Sequence, residues 1–375
     1  MTEGLDHGLP PHDHGARRER LRDSLAGRWL LVSHPVNVRY LTGFTGTAGS
    51  VLVGPSAEHD RLLTDSRYTE RAAREAGDLP LELTRTPQEV ATELVREVGD
   101  DGAETPVLGI EADHVTWVQA REAQRLTEAA GVRLLGVTGA VSQLRTVKDD
   151  AELARLQRAN DITASALEWL FTEHVRPGVS ERELAITLER RFIDLGADGV
   201  AFSSIVASGH NTVSPHHDPG GRQLRPGDLL TIDAGARVDG YHADHTRTVG
   251  IGHLGEQARR IHEVVRVAQQ AGREAAVEDA LTGDVDAAAR GVIEEAGYGR
   301  WFVHGTGHGV GLEIHEAPSV AKGGTATLAV GTTLTVEPGV YVPGIGGVRI
   351  EDSHVIVPDG PARAFTDASR ELVIL

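Results

Sequence analysis

Three apolar runs in the second half of the chain end on an acid: LLTI leads into Asp233, TLTV into Glu337 and GVRI into Glu351. Runs of this kind, rich in Leu, Ile, Val and Thr, read as core strands. A carboxylate on a core strand is costly unless it is protonated or neutralised by positive charge. A fold that buries these strands must therefore either protonate the acids or bring positive charge to them.

Two hairpins set the acids in pairs. In TIDAGARVDGYHADHTRT, Asp239–Gly240 is a strong hairpin signal. With those residues as the turn, Asp233 lies opposite Thr246, and Asp244 sits two places along on the same face. Asp233 and Asp244 become diagonal neighbours, close enough to share a ligand. In TVEPGVYVPGIGGVRIED, a three-residue turn at 343–345 sets Glu337 opposite Glu351, and Pro338–Gly339 is expected to interrupt the pairing. Two divalent metal ions would balance these four carboxylates.

The stretch HGTGHGVGLEIHEAP (304–318) supplies a neutral nitrogen donor. His308 stands between Gly307 and Gly309, where the backbone can approach a crowded centre closely. His304 and His315 are left to work around the metals. In SGHNTVSPHHDPG (208–220), His216 is a candidate for the same pocket, and His217 is either its neighbour there or exposed. His210, His242 and His245 read as structural or solvent-facing, and His253 and His262 have no expected role.

The rest of the chain reads as an α/β protein. Strand and helix signals alternate over 16–138, as in WLLVS (29–33), SVLVG (50–54), PVLGIE (106–111) and the helix ending at Gly131. From 139 to 375, a helix, helix and strands pattern occurs twice. Asp149 or Asp150 caps a helix running to about His174, Ser180 and Glu183 have capping-box spacing, and further helices are expected at 256–276 and 285–297. The expected organisation is a flexible arm at 1–15, a small domain at 16–138 and a catalytic domain at 139–375 built from two similar halves. His7, His12 and His14 on the arm could hold only stray metal.

A net charge of −18 argues against nucleic acid and anionic membrane as partners. The N-terminus has acids and prolines where a signal peptide needs an apolar run. There is no cysteine, which excludes thiolate metal sites and thiol nucleophiles and fits the expected cytoplasmic location.

NVRYLTGFTG, LLTDSRYTE, FSSIVASG, GYHADHTRT, HGTGHGVGLEIHE, EPG and GVRIED together resemble the pita-bread metallopeptidases, nearest to the proline-specific branch of aminopeptidase P and prolidase. The resemblance implies a creatinase-like N-terminal domain and a pita-bread catalytic domain with two-fold pseudo-symmetric α+β halves. It implies that Asp233, Asp244, His308, Glu337 and Glu351 bind two metals, with Asp244 and Glu351 bridging. His216, His304 and His315 match the family's surrounding histidines, Arg349 matches its arginine before the last glutamate, and Ala243 stands where relatives often carry serine.

An oxygen-rich site with one imidazole suits manganese(II), with cobalt(II) or zinc(II) as alternatives. The expected reaction is hydrolysis of the bond before proline in a peptide with proline at its second position. Glu337 is the expected proton shuttle, and His315 and His216 are expected at the reacting groups. His304 is expected at the proline pocket, and Arg349 at nearby acids or a substrate carboxylate. An Xaa-Pro aminopeptidase is slightly favoured over an Xaa-Pro dipeptidase. A metal-free creatinase-type hydrolase and a non-catalytic peptide-binding module are the competing readings. The resemblance also implies a homodimer, with Asn37 and Tyr40 as candidates to reach a partner's site.

Overall fold

The computed structural model describes residues 8–98 and 105–375. The chain forms two compact units, which part between Arg145 and Thr146, with Gly8–Pro10 counted in the second.

The first unit contains α1 (His14–Leu25), β1 (Trp29–Val32), α2 (Pro35–Thr42), β2 (Gly49–Val53), β3 (Arg61–Thr64) and α3 (Thr69–Glu75). It continues with β4 (Leu81–Leu83), α4 (Pro87–Val98), β5 (Val107–Glu111), α5 (Trp117–Ala130), β6 (Arg133–Val137) and α6 (Ala140–Thr146). Its sheet runs β4-β3-β2-β1-β5-β6. Trp29, Leu31, Leu52 and Leu108 from the strands pack with Ala91 and Val95 of α4 and Ala123 of α5. The expected boundary at 138/139 falls before α6, whereas the division of the structure falls at its end.

Helix α1 begins inside the expected arm. Asp13 caps it by accepting from the Ala16 amide at 2.8 Å. His14 Nδ1 lies 3.0 Å from the Tyr40 carbonyl, and His12 Nδ1 lies 2.9 Å from the Arg17 guanidinium, so both histidines are spent on protein partners. His7 lies outside the described residues. The helix escaped sequence reading because its buried face mixes Arg17 and Arg18 with Leu21 and Leu25, which leaves only a short apolar period. Arg18 meets Asp60 at 3.2 Å and Asp78 at 2.6 Å, and Arg17 donates to the Tyr40 carbonyl at 3.1 Å. Asn37 and Tyr40 are buried within this unit. Asn37 is held there by Glu111 and Arg145, so neither side chain is presented outward.

The second unit opens with two capped helices. Asp149 and Glu152 form a capping box on α7 (Asp150–Glu173), and Ser180 and Glu183 form one on α8 (Glu181–Asp194). Gly196 follows α8 at φ +94°, a conformation glycine adopts at no steric cost. Then come β7 (Gly199–Val200), β8 (Ile205–Ser208), β9 (Leu229–Ala234), β10 (Ala236–Val238), β11 (Tyr241–His242) and β12 (His245–Gly250).

The second half supplies α9 (Glu256–Ala275), α10 (Thr282–Glu295), β13 (Gly307–Gly309), β14 (Glu316–Val320) and β15 (Thr333–Val336). It ends with β16 (Gly339–Val342), β17 (Gly346–Arg349), β18 (Asp352–Val355) and β19 (Arg363–Ala364). The main sheets run β12-β9-β8 and β14-β13-β15-β18-β19, with β16-β17 as a separate ribbon.

Alternation along β9 divides its side chains. Leu230, Ile232 and Ala234 pack into the core with Leu188 and Phe192 of α8, each large side chain contributing roughly 1.5–3 kcal/mol. Thr231 and Asp233 take the other face. Among the described residues, no helix is long and apolar enough to cross a membrane.

Candidate metal centre

The two hairpins have the registers their sequences predict. Asp239 and Gly240 form the first turn at φ +44° and +78°, and Thr246 pairs with Asp233. In the second, Val336 pairs with Asp352 and Gly339 with Arg349. Glu337 and Glu351 fall in the interruption between these pairs, where the chain passes from one ladder to the next.

Hydroxyls join the two halves. Thr246 donates to Glu351 Oε2 at 2.5 Å, and the Thr248 hydroxyl donates to the Arg349 carbonyl at 2.9 Å. Thr246 and Thr248 lie on the same face as Asp233, so the residues that bury that face also hold the second hairpin against it.

His308 sits on β13 between two glycines that have no room for a side chain. A Cβ at Gly307 would stand 2.0 Å from the Thr335 carbonyl oxygen, and one at Gly309 would stand 2.1 Å from that of Ala317. His308 Nδ1 lies 3.0 Å from the Gly309 carbonyl and so carries the proton there. This leaves Nε2 as the donor atom, 3.2 Å from Glu337 Oε1 and 3.5 Å from Asp244 Oδ2. An imidazole oriented through its far nitrogen is the usual arrangement of a metal-binding histidine.

One cavity of about 420 Å³ is lined by Asp233, Asp244, His308, Glu337 and Glu351. His216, His304, His315 and Arg349 line it too, with Phe202, Ile205 and Ile314 as an apolar wall. Asp244, His308 and Glu351 each present a ligand atom within 4.8 Å of the others. Asp233 Oδ1 and Glu351 Oε1 are buried without a hydrogen-bond partner.

Burial first, and then the neighbouring carboxylates, push Asp244 and Glu351 well above the carboxylate range. Asp233 is also raised by burial, which its Arg349 partner offsets only in part. Burial would raise Glu337 as well, but with no metal bound His308 takes a second proton on Nε2, and its hydrogen bond and charge hold Glu337 below its ordinary value; a metal would take the place of that proton. Negative charge is thus crowded into a site with too few cations, and buried oxygens are left over. Four carboxylates and one imidazole are a donor set that fits divalent metal.

The surrounding residues divide into two groups. Arg349 donates to Asp233 at 2.7 Å and to the Tyr341 hydroxyl at 2.9 Å. Tyr341 lies 2.9 Å from His304 Nε2, whose Nδ1 lies 2.7 Å from the Gly305 carbonyl. His304 therefore donates from Nδ1 and accepts at Nε2, and burial lowers its pKa in keeping with a neutral ring. Of the two partners expected for Arg349, it has taken a nearby acid. His216 and His315 are freer. His216 and His315 are both exposed at the cavity edge, and the His315 ring centroid lies 4.4 Å from that of His308.

Sequence reading missed Tyr341 and the hydroxyl role of Thr246. The signal for Thr246 was its place opposite Asp233, and that for Tyr341 was its position on the hairpin between the two glutamates.

Residues 154–358 match the metallopeptidase family M24, and residues 17–147 match the creatinase/prolidase N-terminal domain. The chain belongs to metallopeptidase family M24. This peptidase is 33% identical over 345 residues to the Xaa-Pro dipeptidase of Pyrococcus furiosus, covering 92% of this chain and 94% of that one. Its structure is similar to the Xaa-Pro dipeptidase from Bacillus anthracis, with a TM-score of 0.88 and 35% identity, over 97% of this chain and all of that one. It is likewise similar to the X-Pro aminopeptidase from Thermotoga maritima, with a TM-score of 0.85 and 31% identity, over 96% and 99% of the two chains. The peptidase therefore has the pita-bread fold expected from its sequence, and family membership implies divalent metal. It also sets aside the reading as a non-catalytic module.

Proposed function

We propose that this peptidase hydrolyses the bond before proline in short Xaa-Pro substrates, with dipeptides preferred, using two divalent metals. Asp233, Asp244, His308, Glu337 and Glu351 would hold the metals. The observation that carries this reading is the convergence of these five on one cavity, two of them with unpartnered buried oxygens. Bound there, the metals would supply Lewis acidity toward the scissile carbonyl and lower the pKa of a water. The donor set favours manganese(II) over cobalt(II) or zinc(II).

The protein groups divide the remaining work. Glu337, less buried than Glu351, takes the proton of the attacking water and passes it to the proline nitrogen. His315, whose pKa is lowered first by burial and then by His308, is neutral and donates an N–H to the developing oxyanion. His216, at the cavity edge, orients the substrate. Neutral His304 lines the proline end of the pocket with its tautomer fixed by Gly305. Arg349 steadies Asp233.

A dipeptide preference is supported by the similarity to the Xaa-Pro dipeptidases of Pyrococcus furiosus and Bacillus anthracis, although the sequence motifs alone lean slightly toward longer peptides. The similarity to the X-Pro aminopeptidase from Thermotoga maritima supports that second reading. A chromatographic assay of Ala-Pro against Ala-Pro-Ala separates the two. The dipeptide reading requires faster turnover of Ala-Pro, abolished by chelation and restored best by manganese. Activity that survives complete removal of metal would defeat the proposal.

A further inference from the structure

The loop that carries His216 is gathered around one buried acid. Glu181, the first residue of α8, has no solvent exposure. Its Oε1 accepts from the Ser208 amide at 2.8 Å, the Ser208 hydroxyl at 2.7 Å and Asn211 Nδ2 at 2.9 Å. Its Oε2 accepts from His217 Nε2 at 2.9 Å and the Gly220 amide at 3.2 Å. These donors span residues 208–220, the whole loop on which Pro215 and His216 are carried. Burial works against the charge, but the bonds from Ser208, Asn211 and His217 outweigh it and keep the pKa below the ordinary glutamate value.

The other side of the loop is tied to the catalytic hairpin. The Gly347 amide donates to the Thr212 hydroxyl at 2.8 Å, and Arg349 reaches the Pro215 carbonyl at 3.4 Å. His216 therefore stands on a loop fixed at one edge by the strand bearing Arg349 and at the other by Glu181.

We infer that Glu181 is a positioning residue for His216, setting where that imidazole stands at the mouth of the cavity, with His217 as its link on the loop. A carboxylate suits this place because all five donors point at its two oxygens. A glutamine would turn an N–H toward some of them. His217 could answer by exchanging tautomer, but the amides of Ser208 and Gly220 could not. In its kinetic consequence the inference rests on the Xaa-Pro peptidase reading; in its structural consequence it does not.

The test compares Glu181→Gln in the wild-type and His216→Ala backgrounds on metal-loaded protein. In the wild-type background kcat/KM for Ala-Pro should fall tenfold or more. In the His216→Ala background it should change by less than twofold, because the residue acted upon is gone. Equal losses in both backgrounds would overturn the inference and assign Glu181 to general stability. Hydrogen exchange supplies a readout that needs no turnover: Glu181→Gln should lose protection within 208–220 while α7 and α9 keep theirs. Unchanged protection of the loop would also overturn it. Should Glu181→Gln fail to fold, His217→Ala, which removes a half-exposed donor, carries the same two measurements with a smaller expected loss of about threefold. If the wild type cleaves no Xaa-Pro peptide, the peptidase reading fails and exchange alone decides the positioning role.

Discussion

Arg349 and Asp233 meet at 2.7 Å with both residues buried, and the same guanidinium reaches Tyr341 and Thr246. One oxygen of Asp233 is thereby held, and the other is left without a partner in the cavity wall. The arginine thus aims the free oxygen. Lysine would keep the charge but lose the fork that holds three partners at once. Arg349→Lys should weaken metal binding by about tenfold or more, as substitutions behind metal ligands commonly do. Competition with a chelator of known affinity measures this, and an unchanged metal affinity would remove the aiming role.

The glycines around His308 make a second prediction. A Cβ at Gly309 would collide with the backbone of Ala317, which cannot swing aside as a side chain end can. Gly309→Ala should cost about 3 kcal/mol by overpacking and impair metal loading. Gly291 in α10 has open space where a Cβ would go, so Gly291→Ala should be neutral or stabilise by up to about 1 kcal/mol. Urea unfolding of the two variants gives the contrast directly.

His262 should make stability depend on pH. It is buried on α9, with Nε2 3.2 Å from the Thr248 carbonyl. Burial lowers its pKa from 6.5 to about 4. Between those values the unfolded chain binds more protons than the folded one, so stability rises with pH across this window. The contribution is complete above about 6.5 and is lost as the pH falls toward 4. It amounts to about 3 kcal/mol at most. Unfolding free energies at pH 7, 5.5 and 4.5 should fall more steeply for the wild type than for His262→Gln. Parallel curves would assign the pH dependence elsewhere.

Lys148 and Glu316 form an ion pair at 2.6 Å with both side chains almost fully covered, next to His315 in sequence. Removing only the cation leaves the carboxylate buried without it. Lys148→Met should therefore cost about 3–5 kcal/mol. Adding Glu316→Leu should recover most of the loss, since a buried pair exchanged for apolar groups is often neutral. Thermal melts of the single and double variants test it, and a double variant no better than the single would count against the pair as the cause.

Local rules made much of the site legible. The Asp239–Gly240 turn fixes the register that sets Thr246 opposite Asp233, and the second turn fixes the relation of Glu337 to Glu351. Capping boxes at Asp149 and Ser180 located two helix starts. What escaped reading depends on distant partners or on polar groups doing an apolar task. The buried face of α1 sets Arg17 and Arg18 beside Leu21 and Leu25, with Arg18 paired to Asp60 and Asp78, so two leucines alone are too short a hydrophobic period to announce it. Helix α10 starts at Thr282, ahead of the expected 285, because Leu281 offers no side-chain cap to mark the place. Glu181 stands in the first turn of α8, where an acid is ordinary. Its partners lie 27 to 39 residues further on, beyond the reach of periodicity.

The proposed centre would take two acids from each hairpin and one imidazole from β13. Its donors therefore span residues 233 to 351, and no shorter piece of the chain holds them all. An ion seated among them grips both halves at once, so the free energy of its capture adds to the cohesion between those halves. Stripping the ions from the finished peptidase should accordingly loosen the seam between the two hairpins before it disturbs either alone.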